Sequence, residues 1–278
     1  MDNFDTHISE LKKDGYTIVP NAISQADVAE MLEVSKEMIS SESEVGHRVG
    51  SQSPNKQSVH AIVGKHPFFH EFFLNEPALQ IVRHMIGKDA VLYDANIRVP
   101  MPTGSGERRS GFHVHVDRED YSVVPFAGGK HYPVAMNVTW PMVDFTLENG
   151  ATLVWPGTHL SCEVPEPDVR PPGHVYVEVP TGTAVIWDAA LWHAGGVNCG
   201  KHPRYSVLAY YQRSWIKGKA DSRRLISPEA LSSMSDEAQR LLGMDSEVSD
   251  YSEVKAMSPE QIESLTMEEK KALGFAIY

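Results

Sequence analysis

Between residues 90 and 212 the chain breaks into short runs of β-branched and aromatic residues: "AVLYDANIRV", "GFHVHVD", "HYPVAMNVTW", "ATLVWPG", "HVYVEVP", "TAVIW" and "RYSVLAYYQ". Gly, Pro and Asn separate them. Such residues suit a pleated, half-buried surface, and the punctuation marks turns. Many short strands at regular spacing have few ways to bury their apolar faces: a sandwich, a jelly roll or a closed barrel. The expected fold is therefore mainly β with flanking helices.

The flanks carry a different period. In "ISQADVAEMLEVSKEMI", Ser24 is placed to cap a helix whose apolar positions include Val28, Met31, Leu32 and Met38, at helical spacing. "GYTIVP" before it reads as a short strand. "PFFHEFFLNEPALQIVRHMIG" reads as helix, with Pro77 opening its second part and Gly87 closing it. Residues 41–66 and 100–111 are rich in Gly, Ser and polar residues. Both are expected to be loops, and loops of this kind often serve as covers over a site. After residue 217 the pattern is helical again. Ser227-Pro228, Ser235 and Ser258-Pro259 are start signals, "TMEE" is a capping box, and Gly243 and Gly274 are stops. This divides the chain into residues 1–217 and a helical extension, 218–278, packed on or near the same domain. That tail is open to a role as lid or homodimer contact.

Composition excludes several classes. Hydrophobic residues are 41% and charged residues 22% of 278, an ordinary globular balance with enough apolar surface for a core. The net charge of −12 disfavours nucleic acid and anionic membrane surfaces, which attract basic faces. No run approaches a membrane span. Cys162 and Cys199 form no metal or redox pattern. The N-terminal "MDNFDTHISELKKDGY" lacks an apolar signal core. A cytoplasmic protein with a small-molecule partner is expected.

"GFHVHVD" carries the chemistry. His113, His115 and Asp117 fall on alternate positions, so on a strand all three point the same way. A His-x-Asp pair supplies two ligands to one metal. The best third is His193, in "TAVIWDAALWHAGG", where a strand gives way to a turn. Two imidazoles and one carboxylate leave coordination positions open, which suits non-haem Fe(II) and O2. Arg204 follows at the start of the next strand. Its planar fork matches the distal carboxylate of 2-oxoglutarate. Ser206, two residues on, shares its face and offers a hydroxyl.

In their order along the chain, "HVD" (115–117), "DFTLENGATLVWPGTH" (144–159), "WDAALWHAGGVN" (187–198) and Arg204 resemble the phytanoyl-CoA dioxygenase superfamily, in particular its natural-product oxygenases. The similarity spans roughly residues 8–215 and leaves the tail uncovered. The resemblance implies a double-stranded β-helix, a jelly-roll or cupin-like core. It implies that His115, Asp117 and His193 hold Fe(II), and that Arg204 pairs with the C5 carboxylate of 2-oxoglutarate. It also implies oxidation of a small molecule by O2 with release of succinate and CO2. Thr152 falls where some members place a hydroxyl on the cosubstrate.

The chain departs from the family at Phe112 and His113, where many relatives carry an amide donor; Asn96 is the substitute considered. His113 is left as a substrate contact, spare ligand or support. Among the arginines near the metal strand, Arg98 and Arg118 are candidates for an anionic substrate group, while Arg108 and Arg109 read as solvated loop charge. His159, Trp155 and Trp192 read as packing, and Glu148 and Asn149 as turn formers. Two alternatives stay open: a cupin-like metalloenzyme that does not use 2-oxoglutarate, and a jelly-roll binding protein without catalysis.

Overall fold

The computed structural model describes residues 4–45, 56–103, 113–117, 126–127, 130–161, 163–166, 169–216, 225–244 and 258–272. By compactness the chain divides into Met1–Gly243 and Met244–Tyr278. The first unit opens with helix α1 (Phe4–Asp14), which buries His7, Ile8 and Leu11. Strand β1 (Tyr16–Val19) follows. Helix α2 (Gln25–Val45) starts at Ser24, whose hydroxyl accepts from the Asp27 amide while Asp27 accepts from the Ser24 amide. Its Val28, Met31, Val34 and Met38 are buried.

Among its described residues, the expected loop over 41–66 is mostly helix and strand. Helix α2 runs to Val45, and Lys56–His60 forms strand β2, followed by a 3-10 turn at Ile62–Gly64. Polar composition misleads here because β2 is an edge strand: Val59 packs inward while Lys56 stays exposed. Residues 46–55 and 104–111 lie outside the described residues, so a cover there is not described. Short helix α3 (Phe69–Phe72) and α4 (Glu76–Ile86), with Pro77 in its first turn and Gly87 as its cap, match the sequence pattern.

The core is antiparallel. Strands β3 (Val91–Pro100), β6 (Ala135–Pro141), β9 (Ala184–Asp188) and β11 (Ser206–Gln212) join β1 and β2 in the order β1-β9-β6-β11-β3-β2. Every residue of β6 and β9 is buried, because both faces of these central strands are covered. A smaller sheet has the order β10-β7-β8, from His193–Ala194, Leu153–Val154 and Val175–Tyr176. A two-stranded ribbon, β4 (Phe126–Ala127) with β5 (Lys130–His131), pairs with neither sheet but touches β9 through His131 and Asp188, 2.7 Å apart. The architecture is the double-stranded β-helix that the strand pattern allows.

After the barrel, helices Pro228–Ser232 and Asp236–Leu241 begin at Ser227 and Ser235, each hydroxyl accepting an amide of the first turn. Arg83 pairs with Glu237, and Glu71 accepts from Ser235, so residues 225–243 belong to the first compact unit. In the second unit Ser258 and Gln261 form a capping box before Pro259–Ser264, and Thr266 and Glu269 cap Met267–Ala272. No helix of the described residues is long and apolar enough to cross a membrane.

Candidate metal centre

The alternation of "HVHVD" is realised. Val114 and Val116 are buried in the core, while His113, His115 and Asp117 line one cavity of about 500 Å³. The segment is held by a single bridge rather than a ladder: His115 and His193 exchange two backbone hydrogen bonds of 3.0 Å. That exchange sets the imidazoles side by side, ring centroids 4.3 Å apart.

The ring nitrogens are sorted by the backbone. His115 Nδ1 lies 2.9 Å from the His113 carbonyl, and His193 Nδ1 lies 2.9 Å from the Leu191 carbonyl. A carbonyl only accepts, so each Nδ1 carries a proton, which makes Nε2 the nitrogen of each ring that can give a lone pair to a metal. Asp117 Oδ1 is 3.5 Å from His193 Nε2. Asp117 Oδ2 accepts from the Asn137 side-chain amide, and the Asp117 amide donates to the Ala189 carbonyl. The three side chains offer one ligand atom each, all within 4.8 Å of one another. This donor set, with lone pairs freed by backbone acceptors, fits a divalent iron.

Electrostatics agrees. Burial, with the charge of His193, lowers the His115 imidazole to about 4, so it stays a neutral donor. Burial is the largest influence on Asp117 and works to raise it, but the charge and hydrogen bond of His193, with His115 and the Asn137 amide, together hold the carboxyl below its ordinary range. Burial is likewise the largest influence on His193 and works to lower it, but the charge and hydrogen bond of Asp117, with the Leu191 carbonyl, together leave His193 raised.

Arg204 lies on the same cavity, 5% exposed. Its Nη1 donates to the Gly150 carbonyl and its guanidinium sits 4.2 Å over the Phe145 ring. Its Nε has no hydrogen-bond partner, and no carboxylate pairs with it, among the described residues. Burial brings it down to about 10, so it remains a cation, and a buried cation calls for an anion. The "ENG" turn builds this corner. Gly150 has φ +80°, and a Cβ there would meet the Gly196 carbonyl oxygen at 2.6 Å.

Thr152, Ser206, Arg98 and His113 also line the cavity. Ser206 Oγ donates to the Arg98 carbonyl, and His113 stacks on His115 with centroids 5.2 Å apart. Asn96 is not among the lining residues; its amide donates to Asp94 and its oxygen accepts from Arg98. Arg108, Arg109 and Arg118 lie outside the described residues. Trp155 and Trp192 pack together with Val114 and donate to the Pro171 and Glu163 carbonyls. His159 is buried against α1.

Sequence reasoning missed several lining or supporting groups, among them Asn137, Thr139, Trp187 and Lys56. Asn137 and Thr139 alternate along "AMNVTWP", and a polar residue on a wholly buried strand was the available signal. Thr139 Oγ1 and Trp187 Nε1 have no partner among the described residues, and both line the cavity.

Solved structures share this frame. The epimerase SnoN, in complex with Fe3+, alpha ketoglutarate and nogalamycin RO, superposes with a TM-score of 0.57 at 19% identity, covering 76% of this chain and 84% of that one. Uncharacterized protein Rv1501 of Mycobacterium tuberculosis is 26% identical over 84% of either chain. Dioxygenase af480 of Aspergillus fumigatus is 22% identical over 87% of this chain and 77% of its own. The class is that of the Fe(II)/2-oxoglutarate-dependent oxidoreductases. Within it, the phytanoyl-CoA dioxygenase (PhyH) profile matches residues 11–206, and the chain belongs to that family.

Proposed function

We propose that this protein is a dioxygenase that hydroxylates, or otherwise oxidises, a small organic molecule, using Fe(II), 2-oxoglutarate and O2. His115, Asp117 and His193 are the metal ligands. The carrying observation is the sorting of nitrogens at the triad: both Nδ1 atoms are spent on backbone carbonyls, so Nε2 of each histidine and Oδ1 of Asp117 converge. Iron bound there with 2-oxoglutarate supplies oxygen activation coupled to loss of CO2, leaving succinate.

The chain's own groups do the rest. Arg204 pairs with the C5 carboxylate, with the hydroxyls of Ser206, Thr152 and Thr139 on the same cavity wall. Asn137 holds one Asp117 oxygen and so keeps the other turned to the metal. Phe145, Trp187 and Leu208 supply apolar wall and keep water from the reacting centre. A cupin-like enzyme without 2-oxoglutarate, or a binding protein, leaves the buried Arg204 charge without a purpose.

Anaerobic addition of Fe(II) and 2-oxoglutarate tests this reading, since the chelate absorbs weakly in the visible. Absence of that band in protein that binds metal would rule out the cosubstrate. Succinate release across acids, amino acids, phosphonates and terpenoids then finds the substrate. Product mass separates hydroxylation, which adds an oxygen, from epimerisation, which does not. Asp117→Ala should abolish turnover, whereas His113→Ala should keep the metal.

A further inference from the structure

We infer that Asp188 and His131, a buried pair outside the cavity, are positioning residues that lock the turn on which all three proposed metal ligands depend. The inference rests on the reading of His115, Asp117 and His193 as those ligands.

The turn comes first. Strand β9 ends at Asp188, and the Leu191 amide donates back to the Asp188 carbonyl at 2.9 Å, closing a turn over 188–191. Two carbonyls of this turn hold the site. Ala189 accepts from the Asp117 amide at 3.1 Å, and Leu191 accepts from Nδ1 of His193 at 2.9 Å. The third ligand follows, because His115 and His193 exchange backbone hydrogen bonds. Four residues thus set where Asp117 lies and how the His193 ring is turned.

Asp188 fixes the shape of those four. Its Oδ1 accepts from the Ala190 amide at 2.9 Å, and its Oδ2 accepts from His131 Nε2 at 2.7 Å. Its own amide donates to the Gly15 carbonyl at 2.9 Å. The Asp188 and His131 side chains are 4% and 5% exposed. Trp187 lines the cavity, whereas Asp188 and His131 do not, as strand alternation requires of the next residue along β9. On the far side His159 stands perpendicular to His131, ring centroids 5.5 Å apart. His131 belongs to the β4–β5 ribbon, which pairs with neither sheet, so this contact ties the ribbon to β9. A buried carboxylate and its partner are a poor source of stability, because desolvation offsets the attraction, and apolar side chains of similar volume often do as well. What the carboxylate adds is direction. Two acceptor oxygens hold a backbone amide on one side and a ring on the other, and the turn between them cannot rotate without breaking one. Supports of this kind govern the affinity of the ligands they orient.

The test uses the full chain, metal-free and titrated with Co(II), whose visible absorption reports the arrangement of its ligands. Asp188→Ala and His131→Phe should each weaken Co(II) binding about 10–100-fold and shift its absorption. In metal-free protein the same variants should speed hydrogen exchange in peptides carrying residues 113–117 and 188–194, with exchange of Ser206–Gln212 unchanged. His131→Gln keeps a side-chain donor and should stay within about threefold of the parent in Co(II) affinity. If a single variant strands its buried partner and fails to fold, the double variant Asp188→Leu, His131→Phe removes both polar groups together and carries the test. A purely structural pair would change the melting temperature and leave Co(II) affinity and absorption alone. That result in any folded variant would overturn the inference, as would equal losses in His131→Gln and His131→Phe. Failure of the ligand reading shows separately, as parent protein that takes up no Co(II). Hydrogen exchange in the metal-free variants then still decides whether the pair holds the turn: faster exchange at 113–117 supports it, and unchanged exchange overturns it.

Discussion

The side-chain amide of Asn137 donates to Oδ2 of Asp117, and the other carboxylate oxygen of Asp117 faces His193 Nε2 at 3.5 Å. One strand thus fixes the rotation of a proposed metal ligand carried by a different segment. Groups that orient metal ligands in this way typically contribute 10–100-fold to metal affinity.

Asn137→Leu is therefore expected to weaken Fe(II) or Co(II) binding by roughly 10–100-fold while the fold persists. Metal titration with thermal melting checks both halves. An unchanged metal affinity would show that Asp117 needs no external brace.

The proposed pairing of Arg204 with 2-oxoglutarate predicts the steepest cosubstrate effect. Removing one partner of a buried ion pair costs about 3–5 kcal/mol, roughly a hundredfold to a few thousandfold in affinity. Arg204→Leu should raise the 2-oxoglutarate dissociation constant by that factor and leave metal binding nearly unchanged. Arg204→Lys should recover part of the loss, since it keeps the charge without the fork. Calorimetry with an inert divalent ion measures it. A change of threefold or less in Arg204→Leu would remove the main reason for assigning the cosubstrate to this corner.

Gly150 connects backbone strain to that same corner. It sits at φ +80°, a Cβ would press on the Gly196 carbonyl, and its own carbonyl accepts from Arg204. A left-handed residue with a side chain costs about 1–2 kcal/mol before any clash. Gly150→Ala should lower the melting temperature and weaken 2-oxoglutarate binding together. Loss of one without the other would separate the turn from the anion site.

The buried His159 sets a pH dependence away from the metal. Burial, against an opposing pull from Asp188, lowers its pKa in the folded state. Below the unfolded value of about 6.5 the unfolded chain binds the proton more readily. The His159 contribution is thus complete above that pH and is lost as pH falls through the window down to the folded value. His159→Leu should flatten the acid side of the stability curve of metal-free protein relative to the parent, read by urea unfolding at several pH values. Parallel curves for the two proteins would exclude His159 as the titrating group.

How much of this was legible depended on distance along the chain. The helix caps at Ser24, Ser227, Ser235 and Ser258 were, because a cap bonds an amide two or three residues away. The shared face of His113, His115 and Asp117 was too, because a strand alternates whatever it packs on. The edge strand Lys56–His60 was not, since its apolar content is low and its pairing with β3 supplies the order. Asn96 had the right chemistry and the wrong place: its amide is taken up by Asp94 and Arg98.

By itself the sequence determined the β-rich class, several helix starts and which residue types could bind iron and a carboxylate. Local propensities, strand alternation and turn chemistry act between near neighbours, so they can be read in one dimension. Only the tertiary structure decided that Asn137 braces a carboxylate 20 positions away, that Gly150 supports an arginine 54 positions on, and that Lys56 joins Arg98 at one wall. Those relations come from strand register and from the closing of two sheets around a cavity. Register is chosen by the burial of the whole sheet at once, so no single segment carries it.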